Sequence, residues 1–448
     1  MPLLTQYIAN CQKLLQESEP DNDILVYLPI YDFWANTKEP LLSLFSVHHA
    51  DKWFLNTPFG ELATRLWEGG YSFDYISDMQ ISNLKINSDR SVSICRSKYK
   101  TIIIPKTTHI PAETFEYLAK LSRKGVRIIF DESLPLTLPG NGRDKQKLLF
   151  NSLKEELDKS KDVIVGRADS ALKVLNVRHE FIVSSGLTFI RKQFDKGHFW
   201  FITNLSNEFY NDSISLSGRT EALEYYNPMN GDRGFIDFKK SNQRISTKLY
   251  LPPGSSCFLI SYNNSPKRKT RGFPYPSKES FDISNWEVKF TKGSPALPKT
   301  IFHPRELTSW TTWSDSTLLW FNGYATYTNK FKLPQLWSIN TGVYIRIDDL
   351  RETAQVTING RDIGTIWSVP YELFVPMTFL KPRQENTITL QVRNLSGNEA
   401  RYMDTRHIKW KKFYDANIVD ITYNPFDASK WDPIPSGIIG NVKVIAVK

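Results

Sequence analysis

Apolar positions in the first part of the chain follow a helical rhythm broken by short solid runs. Residues 5–16, TQYIANCQKLLQ, set Tyr7, Ile8, Cys11, Leu14 and Leu15 on one stripe of a helix that Glu19-Pro20 ends. Such a stripe needs a surface to cover. ILVYLPI (24–30) predicts a buried strand, and Phe59–Glu68 a helix stopped by Gly69-Gly70. TIIIP (101–105) predicts a second strand. PAETFEYLAKLSRK (111–124) predicts a helix with proline in its first turn and Gly125 as its stop, and VRIIF (126–130) follows as a third strand. Repeated strand–helix units over 23–180 imply an open parallel sheet with helices on both faces.

From 181 to 262 the period changes to two. FIVSSGLTFIRKQFDKGHFWFITNLS alternates around Gly197 as a hairpin would, and LEYYNPMNGDRGFIDF turns at Asn230-Gly231, so this stretch predicts a small all-β module. Residues 263–280 are rich in Pro, Lys and Ser and read as a linker. From 281 to 448 short strands recur at hairpin spacing: Trp286–Phe290, Ala325–Phe331, Val343–Ile347, Ala354–Ile358, Ile363–Trp367, Thr387–Val392 and Val442–Val447. That count suits a sandwich or jelly roll. Asn359-Gly360 supplies the two positive φ angles of a type I′ turn, with Val356, Ile358 and Ile366 pointing to the core. The fold class is therefore multidomain, α/β followed by all-β.

Composition narrows the function. The 448 residues carry a formal charge of +10, but Lys and Arg are scattered and their densest run, Lys267–Arg271, reads as solvated linker. No basic face interleaved with aromatics suggests nucleic acid. Cys11, Cys95 and Cys257 are too far apart for a disulfide framework or a metal-ligand spacing, His48-His49 stands outside any zinc-binding pattern, and no cofactor motif is visible. No apolar window is long enough to span a membrane, and MPLLTQYIANCQKLLQESEP is not patterned as a signal peptide. The strand ends of the parallel sheet lack both a nucleophile elbow and a glycine-rich phosphate loop, so this sheet is expected to be a non-catalytic scaffold. Twelve Trp and 20 Tyr are many, as in sheet proteins whose flat rings stack on sugars.

The run SWTTWSDSTLLWFNGYATYTNKF (309–331), then IRIDDLRETAQVTINGRDIGTIWSVPYEL (345–373) and NTITLQVRN (386–394), resembles the sugar-binding jelly roll of glycoside hydrolase family 2 and its relatives. WDPIPSGIIGNVKV (431–444) is similar to the close of that module in large bacterial glycosidases. DILVYLPIYDFW, FGELATRLWEGGYSFDYISDMQI and YKTIIIPKTTHIPAETFEYLAKLSRKG resemble the domain that follows the catalytic barrel in glycoside hydrolase family 106, the α-L-rhamnosidases. The resemblance implies a flavodoxin- or glutamine-amidotransferase-like sheet without that chemistry, a galactose-binding-like jelly roll, and residues 1–22 as the helical remnant of a barrel that would precede Thr5. It also implies a carbohydrate partner, with the relatives exported.

Glycoside hydrolysis needs two carboxyl groups roughly 5 to 10 Å apart across a bound sugar. Asp348-Asp349 point to opposite faces of a strand and read as a strand end. No catalytic residue is carried over. The expected function is the accessory C-terminal part of a bacterial α-L-rhamnosidase-like hydrolase acting on plant or host glycans, partnered by a barrel in the complete protein. The alternatives are a free-standing carbohydrate-binding or scaffolding protein and a hydrolase with an unrecognised site. Candidate sugar contacts are Trp310 and Trp313, in the loop-like SWTTWSDS, and Trp367, which follows the hairpin and either meets sugar or plugs the core. Arg401, Asp404, Arg406, His407 and Trp410 concentrate in one long connection, ARYMDTRHIKWKKFYD, as an inter-domain clamp or part of a sugar pocket. No D-x-D-x-D loop suggests calcium.

Overall fold

The computed structural model describes residues 2–35, 48, 51, 54–140, 144–265, 275–411, 424 and 426–447. The chain forms two compact units, Met1–Phe273 and Pro274–Lys448. The Lys267–Arg271 run, His49 and the end of ARYMDTRHIKWKKFYD beyond Lys411 lie outside the described residues.

In the first unit a five-stranded parallel sheet runs in the order Phe73–Ile76, Ile24–Tyr27, Thr101–Ile104, Arg127–Asp131, Val163–Gly166. The central strands Ile24–Tyr27 and Thr101–Ile104 are buried at every position, because helices cover both faces. Leu25, Tyr27, Ile102 and Ile104 meet Phe115 and Leu118 of helix Ala112–Arg123 and Phe150 and Leu153 of helix Asp144–Lys159. Ile24, Val26 and Ile103 meet Leu62 and Leu66 of helix Pro58–Glu68 and Leu172 of helix Ala168–Val174. Two strands of the parallel sheet escaped the sequence reading: Phe73–Ile76 and Val163–Gly166 are edge strands with few fully buried positions. The expected first strand also stops early. Pro29 follows its end, and Ile30–Ala35 turns into a helix.

A small antiparallel sheet, Lys85–Ile86, Val92–Ile94, Ser97–Tyr99, also belongs to this unit, and residues after 180, joined by Glu19–Pro20, form a β module of two antiparallel sheets. The larger runs Glu19–Pro20, Thr188–Phe194, Gly197–Thr203, Ser256–Tyr262, Ala222–Tyr226, Arg233–Phe235; the smaller runs Tyr210–Ser217, Arg244–Leu251, Lys239–Ser241. Trp200, Ile202, Cys257 and Leu259 on the larger sheet pack against Ile214, Leu216, Ile245 and Leu249 on the smaller. Gly197 sits where a Cβ would fall 2.0 Å from the Ser261 carbonyl oxygen, so no other residue fits this hairpin. FIVSS, expected in a strand, forms a 3-10 helix, Phe181–Ser185. The N-terminal helix, Pro2–Gln16, finds the surface its stripe requires. It lays Tyr7, Cys11, Leu14 and Leu15 on Phe199, Phe258 and Ile260, the outer face of the larger sheet.

A buried ionic network joins the module to the parallel sheet. Arg191, whose side chain has no exposed surface, donates to Glu180 at 2.8 Å and Asp23 at 2.9 Å, and to the Asp21 carbonyl oxygen at 2.8 Å. Arg178 pairs with Asp21 and Asp23, and His198 Nδ1 lies 3.0 Å from Asp21. Charges this deep are tolerated only when each finds its counter-charge.

The second unit is a β-sandwich. One sheet runs Glu287–Ser294, Asn322–Lys332, Glu385–Arg393, Thr353–Ile358, Arg361–Ile366; the other runs Pro276–Ile283, Gly437–Val447, Gly342–Arg351, Glu372–Pro376. Val356, Ile358 and Ile366 point into the core as the alternation required, and Asn359 and Gly360 take φ of 51° and 78°. Pro276–Ile283 corrects the expected linker. Its Ser, Lys and Glu side chains stand on an edge strand that buries only Ile283, so the core left little trace in the sequence. Asp348 accepts from Asn441 and Lys443, and Asp349 from Arg351, which accounts for both carboxylates by local pairing.

Candidate functional site

Ladder register fixes which end of the sandwich carries the long connections. Ser294 pairs with Asn322, Tyr324 and Thr353 both pair with Arg393, and Ala354 pairs with Ile366. The loops 295–321, 367–371 and 394–436 therefore all leave the same end.

Trp310 lies beneath this end and is fully buried, which corrects its expected role as an open stacking ring. Phe290 and Phe321 stand edge-on to it, with centroids 5.3 and 6.1 Å away. Its backbone N–H donates to Ser436 O at 3.1 Å, and Ser436 N donates to Ser309 Oγ at 2.9 Å. Gly437, at φ 98°, follows; a Cβ there would fall 2.8 Å from the Trp310 ring. The Pro435-Ser436-Gly437 segment is thus shaped to close over Trp310. Trp313 is half-buried against Phe302, at 5.2 Å, and donates its indole N–H to Thr308 at 3.1 Å.

ARYMDTRHIKWKKFYD was expected to be loop. Its first part belongs to a helix, Gly397–Thr405, held at both ends by side chains. Buried Asn398 exchanges two 2.8 Å hydrogen bonds with the Ile434 backbone, and Glu399 accepts from Asn322 at 2.6 Å. Arg401 donates to Trp431 O at 2.7 Å while its guanidinium lies 4.3 Å from the Trp320 ring centroid. Arg406 stacks on Tyr402 at 4.2 Å and approaches Trp320 at 5.5 Å. Asp404 accepts from Trp410 Nε1 at 2.7 Å, Lys411 Nζ at 3.2 Å and Ala428 N at 2.8 Å. Burial alone would raise the Asp404 carboxyl, but the Ala428, Trp410 and Lys411 bonds outweigh it and hold the group below its usual range. His407, at φ 53°, ends the helix in the left-handed conformation, and its N–H bonds Asp404 O at 3.1 Å.

The fold thus gathers Arg401, Asp404, Arg406 and Trp410 on one helix and its return, beside Trp320. Trp367 is half-buried at the same end, one residue beyond the pairing of Ile366 with Ala354. Sequence reasoning missed Trp320 and Tyr402, which receive the arginines, and Trp431, whose ring is 41% exposed beside Phe426. Pro433 and Pro435 were the available signal for Trp431, since such a segment cannot continue a central strand. Among the described residues no cluster of three or more His, Cys, Asp or Glu side chains is placed to hold a metal ion.

The parallel-sheet domain, the β module and the sandwich together share their fold with a solved structure. The solved rhamnosidase from Novosphingobium sp. PP1Y superposes on 99% of this chain with a TM-score of 0.71 and 19% identity, and the match takes in 41% of that protein. Over 114 residues the chain is 29% identical to a Formosa agariphila protein named "Putative beta-glucuronidase", which is 25% of this chain and 10% of the relative. A Ruminococcus gnavus beta-glucuronidase aligns over 38% of this chain and 29% of its own at 19% identity, with a TM-score of 0.26. No family model matches the chain. The chain spans well under half of each of these proteins. Among the described residues no helix is long and apolar enough to cross a membrane.

Proposed function

We propose that the chain is an accessory part of a bacterial α-L-rhamnosidase-like glycoside hydrolase of the family 106 type, acting on plant or host glycans. In this reading the sandwich is a galactose-binding-like jelly roll that turns its loop-bearing end toward carbohydrate, and the parallel sheet is a glutamine-amidotransferase-like scaffold without hydrolytic chemistry. A catalytic barrel in the complete protein is its working partner. The observation that carries the proposal is the fold match itself, which covers 99% of this chain but 41% of the rhamnosidase. The sandwich end supports it with an exposed tryptophan, Trp431, whose carbonyl oxygen accepts from Arg401, and with Arg401 and Arg406 set against the Trp320 ring. Flat rings next to polar groups are the surface that a sugar's apolar face and hydroxyls require.

The test has two arms. Incubated with aryl α-L-rhamnosides, the chain should show no turnover above buffer; turnover lost on changing a single Asp or Glu would end the accessory reading. In affinity electrophoresis it should be retarded by rhamnose-containing polysaccharides, and Trp431→Ala should abolish the retardation. Equal retardation of the variant, or none for the parent chain, would end the binding role of the sandwich.

A further inference from the structure

The strand order of the parallel sheet reverses between Ile24–Tyr27 and Thr101–Ile104: the chain passes from the first strand to Phe73–Ile76 on one side, then returns to the other. In open α/β sheets, ligands enter the crevice beyond the carboxyl ends of the strands at such a switch point. Here that crevice is a cleft of about 400 Å³, a volume suited to a small organic molecule. One wall is apolar, formed by Pro29, Phe33 and Pro58. The other is the turn Lys106–His109, with Ser133 and Leu136 at its side.

The polar wall selects the ligand. Asp32, on helix Ile30–Ala35, accepts from Thr107 Oγ1 at 2.5 Å, Thr108 N at 2.8 Å and His109 N at 2.7 Å. These donors would cradle an external anion, but the protein's own carboxylate fills the cradle. Lys106 is likewise engaged, by Glu132 at 2.9 Å. Asp32 Oδ1 also lies 2.8 Å from His109 Nδ1. A carboxylate only accepts, so the Nδ1 proton faces Asp32, and in the tautomer this selects Nε2 is the ring's acceptor. The His109 side chain keeps 21% of its surface exposed in the cleft. The turn itself is fixed, since Leu136 N and Thr137 N both donate to Thr108 O, at 3.1 and 2.8 Å.

We propose that this cleft binds a small neutral polyhydroxylated ligand, a single sugar or polyol, through a hydroxyl donated to His109 Nε2, its apolar face lying on Phe33. The site belongs to the sheet expected to be inert, in the first unit, and does not depend on the reading given for the sandwich end. Asp32 acts as a positioning residue: it sets the tautomer and excludes phosphate.

Histidine-¹⁵N-labelled protein, titrated with L-rhamnose, D-glucose, glycerol and inorganic phosphate, tests this. A sugar or the polyol should shift the His109 Nε2 resonance saturably, and phosphate should not. Affinity should fall at least about tenfold in His109→Phe and in Leu136→Arg, and stay unchanged in Trp431→Ala. Leu136 is 64% exposed, so its variant keeps the fold whatever the histidine variant does. No saturable shift up to about 100 mM of any neutral probe, a weak-binding ceiling for so small a ligand, would overturn the proposal. So would preferential binding of phosphate, or sugar affinity that survives Leu136→Arg.

Discussion

The guanidinium of Arg401 lies 4.3 Å from the Trp320 ring centroid and also donates to the Trp431 carbonyl oxygen. One side chain therefore joins the helix Gly397–Thr405, the end of the 295–321 loop and the 426–436 return. Arg401→Lys keeps the charge but loses the flat stack and the fixed Nε donor. It should destabilise the sandwich by about 1 kcal/mol, read by chemical denaturation. No change in midpoint would mean that the stack contributes nothing.

Two tryptophans of the same site should behave oppositely. Trp310→Ala empties a fully buried space between Phe290, Phe321 and Gly437, and should cost about 3–5 kcal/mol. Trp431→Ala removes a ring that is 41% exposed and should cost under about 1 kcal/mol while removing glycan retention. Equal stability losses would contradict the assignment of core and surface.

In the hairpin, Gly360→Val forces a branched residue into φ 78°, with nothing within 4 Å of its Cβ, so strain alone should cost about 1–2 kcal/mol. Asn359 matters more. Its amide donates to Phe379 O and to Asn386 Oδ1, both at 2.9 Å, and its carbonyl accepts from Thr387 N at 3.0 Å. Asn386 has no exposed surface and keeps its bonds to Lys381, but Asn359→Ala removes three hydrogen bonds around it and should cost about 2–3 kcal/mol. Melting of the two variants ranks them; a milder effect of Asn359→Ala would show that turn strain dominates.

Acid should act on the first unit through Asp21. Burial alone would raise its carboxyl, but the His198 hydrogen bond and the charges of Arg191 and Arg178 hold it far below the usual range. Its folded value is therefore lower than its unfolded value of about 4, so its stabilisation is complete above that pH and is lost as pH falls through the folded value. Asp21→Asn should destabilise by about 3–5 kcal/mol at neutral pH and flatten the decline of melting temperature below about pH 4. A slope unchanged by the substitution would move the acid response to other carboxylates.

Periodicity made the local elements legible. TIIIP and VRIIF read as solid strands because helices bury both their faces, and Val356, Ile358 and Ile366 read as inward because one face of the hairpin must be dry. The turn at Asn359-Gly360 was equally plain, since few other pairs accept two positive φ angles. The site was less so: Arg401, Asp404, Arg406 and Trp410 do converge, but as a helix and its return rather than as a loop.

What the sequence by itself determined was which residues share a face. Which surface covers that face was decided by pairings distant along the chain, and periodicity carries no record of them. The stripe Tyr7, Cys11, Leu14 and Leu15 announced a buried side, yet only the sheet formed by Phe199, Phe258 and Ile260 supplies its cover. Trp310 and Trp431 both stand in irregular segments, where no period separates inside from outside. Closure of Ser436-Gly437 over the first buries it, and the second, with the Phe426 ring beside it, stays 41% exposed. His109 and Asp32 are 77 residues apart, and they meet because parallel strands bring their carboxyl ends to one edge of the sheet.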